Sequence, residues 1–197
     1  MKFKMSPRLA LLTIAAIFLL PLALAYMMYS GSISYNPVET RNLGTLVEPP
    51  VPVNLAALEP LANVGLPLAE LAERHWVVMH TLPEPCAEAC LETVTGLRQV
   101  HRSTGRNQSR IRMLLVAAYP DPELATRLQA IYPSFYLARL NPGLSRQIDG
   151  IPNATRGDSY LIDPLGNIMM AYAAGSDPND LNKDLKRLLT WSKLDEQ

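Results

Sequence analysis

The two cysteines of the chain, Cys86 and Cys90, lie in the short segment Cys-Ala-Glu-Ala-Cys, and there are no others. The residues before them, 74–80, predict a buried strand, and residues 91–102 predict a helix. A spacing of four places both sulfurs on one face of the first helical turn, with Cα atoms roughly 6 Å apart, which a disulfide tolerates. The pair can therefore cycle between dithiol and disulfide, or hold a thiophilic metal between two thiolates.

A structural disulfide, or two buried thiols, is the alternative interpretation of this pair. The loop that the disulfide closes is so short that it removes little chain entropy. Cys86 follows Pro85 at the expected start of the helix, where the helix dipole favours a thiolate. Glu84 and Glu88 oppose this by repulsion, so the acidity of the thiol stays open.

Residues 9–28 form an apolar run in which only Thr13 is clearly polar. At 1.5 Å per residue, a helix of this length spans roughly 30 Å, the hydrocarbon thickness of a bilayer. Lys2, Lys4 and Arg8 precede the run and no positive cluster follows it. The positive-inside rule therefore predicts a single-pass protein of the inner (cytoplasmic) membrane, with its C-terminal part in the periplasm. In that oxidising compartment a disulfide can persist.

A cleaved signal peptide competes with this interpretation. Residues 9–20 would then be its apolar region, Pro21 would end its helix, and residues 23–25, Ala-Leu-Ala, match a small-residue cleavage site. The apolar character continues through residues 26–28, which favours a retained anchor.

The charge of the chain gives no sign of a nucleic-acid partner. The whole sequence carries 18 basic and 18 acidic residues, and all its early charges are basic, so the part after residue 30 is mildly acidic. No basic stripe interleaved with aromatic residues occurs. We therefore expect a membrane and protein partners, and no nucleic acid.

Four segments follow from these patterns. Residues 1–8 are a cytoplasmic N-terminus, residues 9–29 a transmembrane helix, residues 30–72 a proline-containing linker and edge segment, and residues 73–194 one compact domain. Within the third segment, residues 48–53 are held extended by prolines, as a spacer or an edge strand.

The compact domain alternates between strand and helix patterns. Residues 111–118 predict a central strand, Asp121 and Pro122 begin a helix, residues 159–172 predict a hairpin, and a last helix begins at Asp177. The order strand, helix, strand, helix, hairpin, helix is that of a thioredoxin-like domain. We therefore predict an α/β thioredoxin-like domain preceded by a single transmembrane helix.

The cysteine turn after the first strand, together with Tyr-Leu-Ile-Asp-Pro-Leu-Gly at residues 160–166, resembles the Sco/SenC family of cytochrome c oxidase assembly proteins. The resemblance covers roughly residues 74–189. It implies copper handling or thiol reduction during assembly of the copper site of oxidase subunit II, with Cys86 and Cys90 as the catalytic pair or as ligands of copper(I). Another assembly factor is a further possible partner.

One feature of that family is missing from its place. Sco proteins complete their copper site with a histidine shortly before the Tyr-Leu-Ile hairpin, and residues 140–160 contain none. Two thiolates suit Cu(I), but the third ligand usual for Cu(II) is absent there. The copper hypothesis is weakened and the redox hypothesis gains weight.

The three histidines all precede this region. His80 lies six residues before Cys86, so it could reach the thiols as a proton acceptor or substitute ligand, although a solvated histidine at a strand end is the simpler interpretation. His75 is expected at the surface or the sheet edge. His101 lies about 16 Å along the helix from Cys90, too far to share a site.

Two methionines and a proline are further candidates for the site. Met169 and Met170 could offer soft sulfur ligands, but neighbours on a strand point to opposite faces, and core packing is the simpler role. Pro152 could be the cis-proline that faces the cysteines in thioredoxins.

Three functions remain open from the sequence. The first is a thiol-disulfide redox or copper-handling factor in cytochrome c oxidase assembly. The second is a non-catalytic assembly or scaffold protein with a thioredoxin-like fold. The third is a general periplasmic thiol reductase.

Overall fold

The computed structural model describes residues 6–30, 41–62, 67–119 and 121–192. The chain divides into two compact units, with the division between Arg41 and Asn42. The start of the predicted cytoplasmic N-terminus and the residues after the membrane helix lie outside the described residues.

The first unit contains the helix α1, Pro7–Tyr29. Ser6 caps it by accepting a hydrogen bond from the amide of Leu9, and Pro7 occupies the first turn, where a missing N–H costs nothing. Its 23 residues span about 35 Å. Within the described residues it is the one helix long and apolar enough to cross a membrane, as the sequence predicts.

The second unit is built on a mixed sheet. The strands of the described residues are β1 (Thr45–Pro52), β2 (Glu59–Ala62), β3 (Trp76–Thr81), β4 (Ile111–Ala117), β5 (Phe135–Arg139), β6 (Ser159–Ile162) and β7 (Asn167–Tyr172). Their order across the sheet is β1-β7-β6-β3-β4-β5-β2. Strands β3, β4 and β5 run parallel, whereas β6, β7 and the two edge strands pair antiparallel.

Among the described residues of this unit, four α-helices accompany the sheet. They are α2 (Glu88–Ser103), α3 (Pro122–Ile131), α4 (Pro142–Asp149) and α5 (Pro178–Trp191). Asp121, Asn141 and Asp177 cap the last three, each followed by a proline in the first turn. The predicted starts at Asp121 and Asp177 are confirmed.

The core consists of two apolar layers, one on each face of the sheet. One layer packs α2, α3 and α5 against Val78 and Leu115. The other packs α4 and the 3-10 turns Leu55–Ala57 and Leu68–Glu70 against Val77 and Leu114. Because β3 and β4 are covered on both faces, their residues are almost all buried. The fold is α/β and thioredoxin-like, as predicted.

The compact unit extends further toward the N-terminus than the domain predicted to begin at residue 73. Residues 48–53 largely fall in β1, which pairs with β7, so the edge-strand alternative holds for them. Glu59–Ala62 forms the opposite edge beside β5. Proline suits both edges, since an outer strand has ladder positions where no N–H is needed.

The pair β5 and α4 has no counterpart in the predicted element order. The strand has five residues and the helix eight, with Gly143 inside it. Segments this short carry too few residues for a reliable hydrophobic period.

Candidate functional site

A disulfide joins Cys86 and Cys90, whose Cα atoms are 5.2 Å apart. Helix α2 begins at Glu88, so Cys86 lies just outside the helix and Cys90 in its first turn. Cys90 is buried, with 6% of its surface exposed, whereas Cys86 is half-buried. The two cysteines are therefore unequal: an incoming sulfur can reach Cys86 more easily than Cys90.

The segment that leads from β3 to Cys86 is fixed to neighbouring segments at two points. The amide of Leu82 donates to the carbonyl of Val116, at 2.8 Å. The carboxylate of Glu84 accepts the amide of Tyr119, at 3.1 Å, and the side chain of Tyr119 is 74% exposed beside it. An aromatic ring is thus exposed at the surface near the turn, which no local sequence pattern indicates.

A second loop lies against the end of β3, just before β6. The amide of Gly157 donates to the carbonyl of Thr81 at 2.8 Å, and the amide of Thr81 donates to the carbonyl of Asp158 at 3.0 Å. The buried carboxylate of Asp158 in turn accepts both the amide and the hydroxyl of Thr155 and the amide of Ala174. Asp158 therefore holds this loop in shape, a role that no local sequence pattern indicates.

The suggestion that Pro152 is a cis-proline facing the cysteines is wrong. Among the described residues, the cis X-Pro bonds precede Pro49 and Pro85. Pro152 lies in an exposed turn after α4, and the residues beside the end of β3 are Gly157 and Asp158.

His80 is buried, so the expectation of a solvated histidine at a strand end is also wrong. It is 1% exposed, and its Nδ1 lies 3.0 Å from the hydroxyl oxygen of Ser159 on β6. Burial lowers the pKa of His80 to about 4, because the core disfavours the charged imidazole more than the nearby carboxylate of Asp158 favours it. At neutral pH the ring is neutral.

The other two histidines have structural roles. In His101, Nε2 donates to the carbonyl of Gln108 at 3.1 Å, and Nδ1 accepts from the hydroxyl of Tyr132 at 2.9 Å. The guanidinium of Arg112 donates to Nε2 of His75, at 2.9 Å. Burial lowers the pKa of both imidazoles.

Met169 and Met170 pack in the core, as expected, although their geometry differs from a regular strand. The ladder pairs Leu161 with Met170 and Ile162 with Ile168, so Met169 is the extra residue of a bulge. Both methionines therefore border the layer that contains α2. Met170 is level with Val78, whereas the cysteines follow the far end of β3.

The arrangement does not fit a copper centre with three ligands. Within the described residues, no group of three or more His, Cys, Asp or Glu side chains could hold a metal ion. In the part of the chain that the structure describes, the two thiols of Cys86 and Cys90, once reduced, are a pair of adjacent thiolate ligands, which suits Cu(I) rather than Cu(II).

Comparison with known proteins identifies the domain. Residues 76–192 match the family described as "transmembrane-like, thioredoxin-like, C-terminal domain". No curated protein matches the sequence.

Several solved structures share the fold at low sequence identity. A DsbF homologue from Corynebacterium diphtheriae has a TM-score of 0.57 and 15% identity, over 79% of this chain and 98% of that one. Arabidopsis thaliana ScoI with copper bound has a TM-score of 0.53 and 10% identity, over 70% and 99%. A Sco/SenC family lipoprotein from Bacillus anthracis has a TM-score of 0.52 and 15% identity, over 73% and 99%.

Proposed function

Because the chain belongs to the family of transmembrane-like, thioredoxin-like C-terminal domains, we propose that it is a membrane-anchored thiol-disulfide exchange protein with Cys86 and Cys90 as its working pair. Helix α1 is the anchor, and the domain lies in the periplasm. Its client is a protein of cytochrome c oxidase assembly, either subunit II or another assembly factor. The cysteines act during preparation of the oxidase copper site.

The observation that carries this proposal is the inequality of the two cysteines. Cys86, outside the helix and half-buried, is placed to attack or be attacked by a client sulfur, and Cys90, buried in the first turn, is placed to resolve the product. In the reducing direction, the thiolate of Cys86 attacks a client disulfide and releases one client thiolate. The thiolate of Cys90 then attacks the sulfur of Cys86 and releases the second.

The membrane and compartment assignments rest on the N-terminal sequence. Lys2 and Lys4 precede α1 and Arg8 lies in its first turn, so from the positive-inside rule we infer that the domain is outside the cytoplasm. A disulfide between Cys86 and Cys90 suits an oxidising compartment.

Copper(I) as cargo is the second candidate function. Among the proteins of similar fold, Arabidopsis ScoI has been solved with copper bound. In this chain the reduced pair Cys86 and Cys90 would hold Cu(I) as two thiolates, with no imidazole from the segment before β6. This favours redox exchange over stable copper storage.

A scaffold role without thiol chemistry is the remaining alternative, and trapping of the client separates it from exchange. Cys90→Ser removes the resolving sulfur, so Cys86 should stay joined to its client. Cys86→Ser is the matched control, because its remaining buried cysteine should trap little. In cells that express each variant, we expect a client-linked species on non-reducing gels with Cys90→Ser only, containing oxidase subunit II or an assembly factor. A partner that co-purifies equally with both variants, and without a mixed disulfide, would support the scaffold role instead.

A further inference from the structure

His80 is a buried ionisable side chain on the cysteine side of the sheet. Successive residues of a strand point to opposite faces, so His80 shares its face with Val78 and Leu82. Those two residues pack in the same apolar layer as Cys90. The imidazole therefore belongs to the layer into which the inner cysteine is buried.

The two nitrogens of the ring have different surroundings. Nδ1 lies 3.0 Å from the hydroxyl oxygen of Ser159, and within the described residues Nε2 has no hydrogen-bond partner. In the tautomer that carries its hydrogen on Nδ1, this hydrogen is donated to the hydroxyl oxygen and Nε2 has a free lone pair.

The surroundings of His80 keep it in the neutral form. Its ladder neighbours are Leu115 on β4 and Ser159 on β6. The buried residues of α2 are apolar except for Cys90 and His101, and both ring nitrogens of His101 have hydrogen-bond partners. The carboxylate of Asp158 is the charged group that acts on the ring and favours protonation, but burial outweighs it. On the same side, Asp184 of α5 is hydrogen-bonded to the hydroxyl of Tyr172 on β7. At neutral pH, Nε2 can thus accept a proton.

We propose that Nε2 of His80 accepts the proton of the Cys90 thiol when Cys90 resolves a mixed disulfide on Cys86. The inference rests on the proposed exchange reaction. The thiol of Cys90 gives its proton to Nε2, and the resulting thiolate attacks the sulfur of Cys86. A disulfide forms between the two cysteines, the bond from Cys86 to the client sulfur breaks, and the client leaves as a thiolate. The proton then passes from His80 to that thiolate or to water.

Because Cys90 is buried, its thiol needs a nearby proton acceptor. A thiol in apolar surroundings loses its proton reluctantly, and it has little contact with water that could accept the proton. A thiolate beside an imidazolium forms an ion pair, whose attraction offsets part of the cost of burying the two charges. Transfer can be direct or through one water molecule. The half-buried Cys86 does not need such an acceptor.

The test separates the two sulfurs kinetically, with the full-length protein in detergent. The reduced protein is mixed with excess 5,5′-dithiobis(2-nitrobenzoate), an aromatic disulfide that releases a coloured thiolate. Attack by Cys86 releases the first equivalent, and attack by Cys90 on the mixed disulfide releases the second. In His80→Asn, which keeps an amide beside Ser159, the second phase should be about 100-fold slower at pH 7 and the first unchanged. The difference in second-phase rate between the wild type and His80→Asn should become smaller at high pH, where Cys90 ionises without a proton acceptor.

His75→Gln is the matched control and should leave both phases unchanged, since His75 lies near Arg112 and away from the cysteines. An unchanged second phase in His80→Asn, or equal slowing of both phases, would overturn the proposal. A wild-type protein that never releases the second equivalent would instead overturn the exchange function itself, and with it this role of His80.

A measurement on the wild-type protein tests the proposal even if His80→Asn fails to fold. The ¹⁵N resonance of Nε2 in His80 should shift when the disulfide is reduced, because a thiol then donates to it. The resonances of His75 and His101 should stay in place. If the ¹⁵N chemical shift of Nε2 in His80 is the same in the oxidised and reduced protein, the proposal is contradicted.

Discussion

The carboxylate of Asp184 on α5 accepts the backbone amide of Gly44, 3.0 Å away, just before β1. The same carboxylate also accepts the amide of Leu43 at 2.8 Å and the hydroxyl of Tyr172 at 3.1 Å. Gly44 packs so closely on the ring of Tyr172 that an added Cβ would lie 2.6 Å from its carbons. One buried carboxylate thus fixes the beginning of the compact unit to its last helix.

Replacement of Asp184 by alanine should lower the free energy of unfolding by about 2–4 kcal/mol. The two amides and the tyrosine hydroxyl would lose their acceptor, and unsatisfied buried donors cost about 1–3 kcal/mol each before relaxation. Urea unfolding of the full-length protein in detergent measures the change.

Asp180→Ala is the control on the same helix. Its carboxylate forms an ion pair with Lys183, at 3.3 Å, and both side chains are partly exposed. Such pairs contribute about 0–1 kcal/mol. Equal losses from Asp184→Ala and Asp180→Ala would contradict the anchoring role of Asp184.

The stability of the protein should fall as the pH falls from about 6.5 to about 4, in part because of His80. The pKa of His80 is lowered to about 4 in the folded state. Between these pH values the imidazole is therefore protonated in the unfolded protein and mostly neutral in the folded protein. The stabilising effect of the neutral ring is thus complete above its unfolded pKa, near 6.5, and is lost as the pH drops.

His80→Asn removes this difference in proton binding. At pH 5, unfolding of the wild type should therefore take up nearly one more proton than unfolding of the variant, as read from the slope of stability against pH. Identical slopes would show that His80 is not buried in its neutral form.

Copper binding by the reduced protein should be limited to Cu(I) and should need both cysteines. Cu(II) should bind weakly, because a dithiolate without imidazole tends to be oxidised by it. Serine at either Cys86 or Cys90 should abolish Cu(I) binding in a competition titration with a Cu(I) chelator. His101→Ala should have no effect, since both nitrogens of His101 already have partners. Stoichiometric Cu(II) binding that survives in Cys86→Ser would point to other ligands.

The topology proposal predicts that the protein stays in the membrane after a carbonate wash. A reporter that is active only outside the cytoplasm should be active when fused after Gln197, because the positive-inside rule predicts that the N-terminus with Lys2, Lys4 and Arg8 stays inside. Release of a soluble form that lacks about 25 residues would establish a cleaved signal peptide.

The sequence predicts the elements whose signals are local. The apolar run predicts α1, the all-apolar stretch predicts β4, and Asp-Pro pairs predict the starts of α3 and α5. In each case the deciding interactions lie within the element or directly before it. The Cα atoms of Cys86 and Cys90 are 5.2 Å apart, near the distance of roughly 6 Å expected from their spacing. The expectation that both cysteines lie in the first helical turn is wrong for Cys86, because α2 begins only at Glu88.

The sequence misses what depends on contacts between distant residues. His80 is buried because strands β4 and β6 and the loop at Asp158 cover the end of β3. The sequence around residue 80 does not predict this burial. The role of Asp184 depends on an amide 140 positions earlier. Edge strands β1 and β2 are defined by their partners rather than by their own alternation.

The reduction potential of the Cys86–Cys90 pair tests the central claim most directly. The full-length protein is equilibrated in glutathione buffers of graded potential, and its free thiols are then alkylated and counted. Exchange between this pair and a client requires a potential in the range of known exchange proteins, about −270 to −120 mV. We therefore expect zero blocked thiols in the oxidised protein and two after reduction, with the midpoint in that range. A pair that stays oxidised below about −300 mV would be a structural disulfide and would contradict the account.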